Sequence, residues 1–122
     1  MKMISIQKIN VPEDCNIITN EFYNYDPKKA FTEADNYRYL REDLFQCTFP
    51  EESLIIDLGW YGDLKTNTGE FKIDIIKSEN WEIPMHTIYS ASVLEIKELL
   101  VKIIDYYSGI AEEEEEEEEA SN

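Results

Sequence analysis

The stretch that decides the fold is LIIDLGWYGDLKTNTGEFKIDIIK, residues 54–77. Two runs rich in β-branched and aromatic residues, 54–61 and 71–76, flank a segment rich in Asp, Asn, Thr and Gly. Apolar runs on both sides of turn-forming residues are typical of a β-hairpin, here with a loop longer than the two-residue kind. The sequence therefore predicts a pair of antiparallel strands.

Alternation within this hairpin predicts an apolar face and a polar face, because successive side chains of a strand point to opposite sides. The apolar face is expected to carry six side chains: Ile56, Leu58, Trp60, Phe71, Ile73 and Ile75. The polar face is expected to carry Asp57, Tyr61, Lys72 and Asp74. Gly59 leaves a gap on the polar face, where another part of the chain can approach closely.

The residues before the hairpin give weaker signals. Ile4, Ile6 and Ile9 predict a strand over residues 3–9, whereas residues 16–25 fit either a helix or a strand. Asp35 or Asn36 is a suitable N-cap for a helix of about three turns. Its apolar side would be formed by residues spaced three, four and three apart: Tyr37, Leu40, Leu44 and Cys47.

The residues after the hairpin predict a loop over 78–84, a short strand over 86–89 and a long amphipathic helix. Ser92 and Glu95 form a capping-box pattern at the start of this helix, and Gly109 is a suitable residue just past its end. Its apolar stripe consists of Ile96, Leu99, Leu100, Ile103, Ile104 and Tyr107. We expect one α+β domain over residues 1–110, a mainly antiparallel sheet with helices packed on one face.

An acidic tail, residues 111–122, follows this domain and contains eight consecutive glutamates at 112–119. The whole chain has a formal charge of −16, and without those glutamates its 19 acidic and 11 basic residues still give −8. Mutual repulsion and an unfavourable helix dipole predict a solvated, mobile tail. Acid excess repels phosphates, so direct nucleic-acid binding is not expected, and a basic protein partner is favoured.

Signals for an enzyme are weak. His86 is the only histidine, Cys15 and Cys47 form no C-x-x-C pair, and there is no phosphate-binding Gly-rich loop or metal-ligand spacing. Asp57 and Asp74 could face each other as paired carboxylates, although exposed hairpin charges beside Lys72 explain them more simply. We therefore predict a non-enzymatic cytoplasmic protein with reduced thiols, without catalytic residues, metal or cofactor and without a membrane span.

Aromatic residues next to acids predict a surface for a basic partner. The residues expected to bind it are Asp57, Tyr61, Asp63, Glu70, Asp74, Glu79, Trp81 and Glu82. Trp60 is expected in the core, whereas Trp81 lies in a polar loop and either anchors a partner or packs over the sheet edge. Residues 22–35 have the same mixture of aromatics and acids, and both an interface and a core role remain open.

The order of an I-D-x-G-W-Y strand, a turn, an F-x-I-x-I-I strand, an N-W-x-x-P loop and a final helix resembles small bacterial immunity proteins. These are encoded beside polymorphic toxins, including those of contact-dependent growth inhibition systems. The resemblance covers residues 54–107 and excludes the glutamate run. It implies a protein that binds one toxin domain, often a nuclease with a basic groove, and blocks its active site. The alternative is a small acidic accessory protein or nucleic-acid mimic that recruits a basic partner through its tail.

Overall fold

The computed structural model describes residues 4–29 and 32–121, with side chains as far as residue 108 in the last helix. Its fold is α+β, with a five-stranded antiparallel sheet in the sequential order β1-β2-β3-β4-β5. The strands are β1 (Asn16–Asn20), β2 (Phe45–Phe49), β3 (Leu54–Asp63), β4 (Thr68–Lys77) and β5 (His86–Ser90). The helices are α1 (Glu33–Tyr39) and α2 (Val93–Ser121), and a 3-10 turn spans Pro50–Glu52.

The predicted hairpin is confirmed as β3 and β4, which pair over ten residues and are joined by residues 64–67. The register places Ile56 opposite Ile75, Leu58 opposite Ile73 and Trp60 opposite Phe71. All six side chains are buried, as the alternation predicts. The same register places Asp57 opposite Asp74 on the other side of the sheet.

Helix α2 covers the apolar side of the sheet. Its residues Ile96, Leu100 and Ile104 are buried in the core, while Leu99, Ile103 and Tyr107 pack against that core. Ser92 begins the helix as predicted, because its hydroxyl accepts a hydrogen bond from the backbone N–H of Glu95 at 3.2 Å. The backbone N–H of Ser92 donates to the hydroxyl of Ser90 at 3.1 Å, which joins the helix start to the end of β5.

The gap that Gly59 leaves is filled by the backbone of residues 41–44. A Cβ atom at position 59 would overlap the carbonyl oxygen of Glu42 and lie 2.7 Å from its carbonyl carbon. Two backbone hydrogen bonds hold this segment along β3, from Leu44 to Leu58 at 2.9 Å and from Trp60 to Arg41 at 2.7 Å. Glycine therefore permits the close approach that the sequence predicts at this position.

Helix α1 lies near the β3–β4 turn and is held there by the fully buried Asn36. The Asn36 side chain accepts a 2.6 Å hydrogen bond from the Tyr25 hydroxyl and donates a 2.8 Å bond to the carbonyl of Leu64. Asn67 donates at 2.6 Å to the carbonyl of Pro27. These bonds join three distant segments and satisfy polar groups that would otherwise be costly to bury.

The structure corrects three expectations for the residues before the hairpin and decides a fourth. Residues 36–47 are not one helix, because α1 ends at Tyr39 and Cys47 lies in β2. The helix is capped by Thr32, not by Asp35 or Asn36, through a 3.1 Å bond from the N–H of Asp35. The predicted strand over 3–9 is reduced to one bridge between Ile6 and Tyr23 in its described part, and the ambiguous segment contains strand β1.

The backbone of α2 continues through Ser121, so the helix does not end at Gly109 as the sequence predicts. The solvated, mobile tail that the sequence predicts covers residues 111–122, whose side chains lie outside the described part of the chain, so it stays a prediction. Within the described part of the chain, no helix combines the length and apolar character needed to cross a membrane.

Two leucines of α2 provide a test of the packing. Leu100→Ala should lower the free energy of unfolding by about 2–5 kcal/mol, because it removes a fully buried side chain from the core. Leu94→Ala is the matched control, since this side chain is 62 % exposed, and it should change stability by less than about 0.5 kcal/mol. Urea unfolding measures both changes. Equal effects would contradict the placement of the helix.

Candidate partner-binding surface

The side of the sheet opposite α2 is mainly polar, although Ile55 and the fully buried Ile76 also lie on it, and we call its polar part the polar face. Eight side chains define it: Gln46, Thr48, Asp57, Tyr61, Lys72, Asp74, Thr87 and Tyr89. Its accessibility to solvent rises toward β5, where Thr87 and Tyr89 are exposed. Four of the eight predicted site residues lie on or at the end of this face, which makes it the main candidate surface: Asp57, Tyr61, Glu70 and Asp74.

Two carboxylates lie side by side at the centre of the polar face. Asp57 and Asp74 are cross-strand partners, and each is only 9 % exposed. Asp74 accepts a 2.7 Å hydrogen bond from the Thr87 hydroxyl and forms a 3.2 Å ion pair with Lys72. Asp57 accepts a longer, 3.3 Å hydrogen bond from the side-chain amide of Gln46. The two aspartates therefore face each other, and the simpler interpretation as exposed hairpin charges is wrong because both side chains are buried. Asp74 is the better satisfied of the two.

A cation and an aromatic ring extend the polar face toward the β3–β4 turn. The Lys72 ammonium lies 4.2 Å from the centre of the Tyr61 ring, in cation–π geometry. Lys72 also pairs with Tyr89 across the strands. The single cation of this face is thus already engaged by Asp74 and Tyr61, and the remaining charge of the face is negative.

The surroundings of these groups shift their proton affinity. Burial raises the pKa of Asp57, and the nearby Asp43 and Asp74 raise it further against the hydrogen bond from Gln46. Burial also raises the pKa of Tyr61. Burial lowers the pKa of Lys72, but the hydrogen bond and the charge of Asp74 outweigh it, so the net shift is upward. Lys72 therefore stays charged, whereas Asp57 is the carboxylate of this face whose ionised form is disfavoured.

The other predicted acids lie toward the two ends of the hairpin. Glu70 is exposed and faces Tyr61 across the strands. Asp63 accepts hydrogen bonds from the N–H groups of Lys65 at 2.9 Å and Thr66 at 3.4 Å, which lower its pKa and stabilise the turn. At the opposite end, Glu79 lines a 440 Å³ pocket together with Thr48 and Ile55, so this pocket borders the polar face.

The loop over residues 78–85 carries the second group of predicted residues. Trp81 is 49 % exposed, so it is available as an anchor, and Glu82 beside it is also exposed. Sequence reasoning missed Ile83 and Met85, which are 72 % and 42 % exposed. Trp81, Ile83 and Met85 form what we call the apolar rim. A run of large apolar residues around Pro84 in a polar loop is the signal that could have revealed it.

Other aromatic residues belong to the core. Trp60 is 3 % exposed, as predicted, and its indole nitrogen is a buried donor without a hydrogen-bond partner among the described residues. In the segment over residues 22–35, Phe22 and Tyr25 are buried. Of the two interpretations left open for that segment, the structure supports the core role for these aromatics.

Metal-ligating and thiol side chains add no further candidate site in the part of the chain that the structure describes. Within the described residues, no three His, Cys, Asp or Glu side chains are grouped in a way that could hold a metal ion. Cys15 and Cys47 are buried free thiols, and desolvation raises the pKa of each, which disfavours the nucleophilic thiolate. The surface offers charge, aromatic rings and hydrogen-bonding groups, which are features suited to recognition.

The chain matches no family model, and comparisons with curated proteins and with solved structures gave no significant match.

The different surroundings of Asp57 and Asp74 predict that their isosteric changes to asparagine have opposite effects on stability. Folding raises this pKa above its ordinary 3.8, so ionised Asp57 lowers stability as the pH rises through the shifted value. Asp57→Asn should therefore stabilise the protein at neutral pH, and its advantage should shrink as the pH falls to about 4. Asp74→Asn should instead lower stability by about 1–2 kcal/mol, because it breaks the ion pair with Lys72.

Urea unfolding of both variants at the two pH values measures these effects. If Asp57→Asn lowered stability at neutral pH, the inference that burial disfavours the ionised form of Asp57 would be wrong.

Proposed function

We propose that this protein is an immunity protein that binds a basic toxin domain through the polar face and neutralises it in the cytoplasm. The observation that carries the proposal is the central pair Asp57 and Asp74, which has one neutralising cation and shares its face with the half-buried Tyr61 and the exposed Tyr89. In this proposal Tyr61 and Trp81 act as aromatic anchors. Asp63, Glu70, Glu79 and Glu82 supply negative charge around them.

Electrostatics support a basic partner. The chain without its glutamate run has a formal charge of −8, so the folded part is acidic by itself. Complementary charge accelerates encounter and disfavours wrong partners, and a bound cation would relieve the repulsion between Asp57 and Asp74. The groove of a nuclease must be basic to hold phosphates, which makes such a domain a suitable partner.

Stability considerations support the same face. A buried carboxylate with a raised pKa lowers the stability of the free protein, and an amide would fit the same hydrogen bond from Gln46. Residues that are unfavourable in the free fold are concentrated at functional sites, where a partner compensates for them. Asp57 is the described residue that fits this description best.

The toxin as partner rests on the resemblance of residues 54–107 to immunity proteins of polymorphic toxin systems. The polar face supports a basic protein partner, and the resemblance narrows that partner to a toxin domain encoded by the neighbouring gene. In this proposal the protein has no catalytic role, and it blocks the active site or the substrate groove of the toxin.

Isosteric neutralisation of the polar face tests the proposal. The double variant Asp57→Asn, Asp74→Asn should raise the Kd for the toxin domain of the adjacent gene by roughly 10- to 100-fold. The double variant Glu13→Gln, Asp14→Asn is the matched control, because it removes the same charge from exposed positions before β1. Isothermal titration calorimetry at two salt concentrations separates the specific contacts from long-range attraction.

Three outcomes would count against the proposal. If the toxin domain does not bind, the immunity function is wrong. If both double variants weaken binding equally, the polar face is not the binding surface. If the polar-face variant binds normally but loses biological activity, a catalytic role for the two carboxylates takes the place of binding.

Deletion of residues 112–122 tests the alternative function, an accessory protein whose acidic tail recruits the partner. We expect the shortened chain to bind the toxin domain with a Kd within about threefold of the full chain, and with a slower association rate at low salt. Stopped-flow fluorescence and calorimetry measure the two quantities. Loss of all binding would favour the tail-mediated alternative.

A further inference from the structure

The two edge strands of the sheet differ in their ability to accept another strand. An edge strand presents unpaired N–H and C=O groups, and proteins commonly block such edges with bulges, prolines or charged residues. Strand β1 is irregular, because its register against β2 shifts between Ile17 and Thr19. Strand β5 pairs with β4 in unbroken register from His86 to Ser90, and it contains no Lys, Arg, Asp, Glu or Pro.

The groove beside β5 on the apolar side of the sheet is suited to side chains of an added strand. This groove has a volume of 370 Å³ and lies between β5 and α2. Ile88, Leu99 and Ile103 line it with partly buried apolar side chains, and the 59 % exposed Tyr106 borders it. A strand paired with β5 would place every second side chain over this groove.

The other side of such a strand would lie next to the polar face. Thr87 and Tyr89 point to that face from β5, and the Thr87 hydroxyl is bonded to Asp74. Cationic side chains at the alternate positions of the added strand would therefore extend past Thr87 toward Asp74, whose strand lies about 10 Å away. The charge of −8 on the folded part opposes pairing of β5 with a second copy of the same chain and favours a basic segment.

We infer that β5 is a docking edge that pairs with an extended segment of the basic partner, with apolar residues over the groove and Lys or Arg toward the polar face. Addition of a strand to a free sheet edge is a general mode of peptide recognition, in which backbone hydrogen bonds supply affinity and alternate side chains supply specificity. The inference rests on the proposed function, and it specifies how the partner reaches the polar face.

Hydrogen–deuterium exchange of the full chain, alone and with the toxin domain of the adjacent gene, tests this inference. Backbone pairing should slow exchange about tenfold or more at the outward-pointing amides of residues 86–90. The amides of β1 should be unchanged. Tyr106→Ala should raise the Kd about fivefold or more, because it removes one wall of the groove. Ile18→Ala on β1, at the same 59 % exposure, is the matched control and should bind normally.

The outcomes separate the two proposals. Protection of β5 together with a selective effect of Tyr106→Ala supports the docking edge. Binding of the toxin domain without added protection in β5 overturns the docking edge and leaves the immunity function in place. Equal effects of Tyr106→Ala and Ile18→Ala also overturn it. Absence of any binding overturns both proposals.

Discussion

The register between β3 and β4 is the constraint on which the rest of the structure depends. A shift of β4 by one residue against β3 would move Ile73 to the polar side and bring Asp74 into the core. Burial of six large apolar side chains on one face opposes that shift by several kcal/mol. The same pairing that forms the core for α2 therefore also fixes two carboxylates as direct neighbours on the polar face.

The sequence predicted the hairpin well because local and long-range preferences agree there. The same agreement is absent over residues 36–47, where helical spacing suggested one helix. Phe45, Cys47 and Phe49 also show the alternation of a buried strand face. Pairing of β2 with β3 satisfies the backbone N–H and C=O groups of this segment. The pairing partners, residues 54–58, lie outside residues 36–47, so the spacing within that segment could not reveal the strand.

The candidate site was predictable in its charges and less so in its geometry. Alternation along the hairpin placed Asp57, Tyr61 and Asp74 together, since period-two patterns report faces directly. The hydrogen-bond partners Gln46 and Thr87 come from neighbouring strands, whose registers no local pattern specifies. Trp81 was identified by its polar surroundings, whereas the rest of the apolar rim required the exposures that only the folded chain provides.

The asymmetry of the sheet connects stability with recognition. On its apolar side, α2 covers the hairpin and buries Ile96, Leu100 and Ile104, so this side supplies most of the hydrophobic stabilisation. On the polar side, Asp57 lowers stability by its burial, and Asp74 depends on Lys72 and Thr87 for compensation. A helix packed over the polar side would remove the little contact with water that both carboxylates still have, and an apolar helix would offer no compensating charge. The asymmetry of the sheet therefore leaves one side whose polar groups an apolar helix would cover only at an energetic cost.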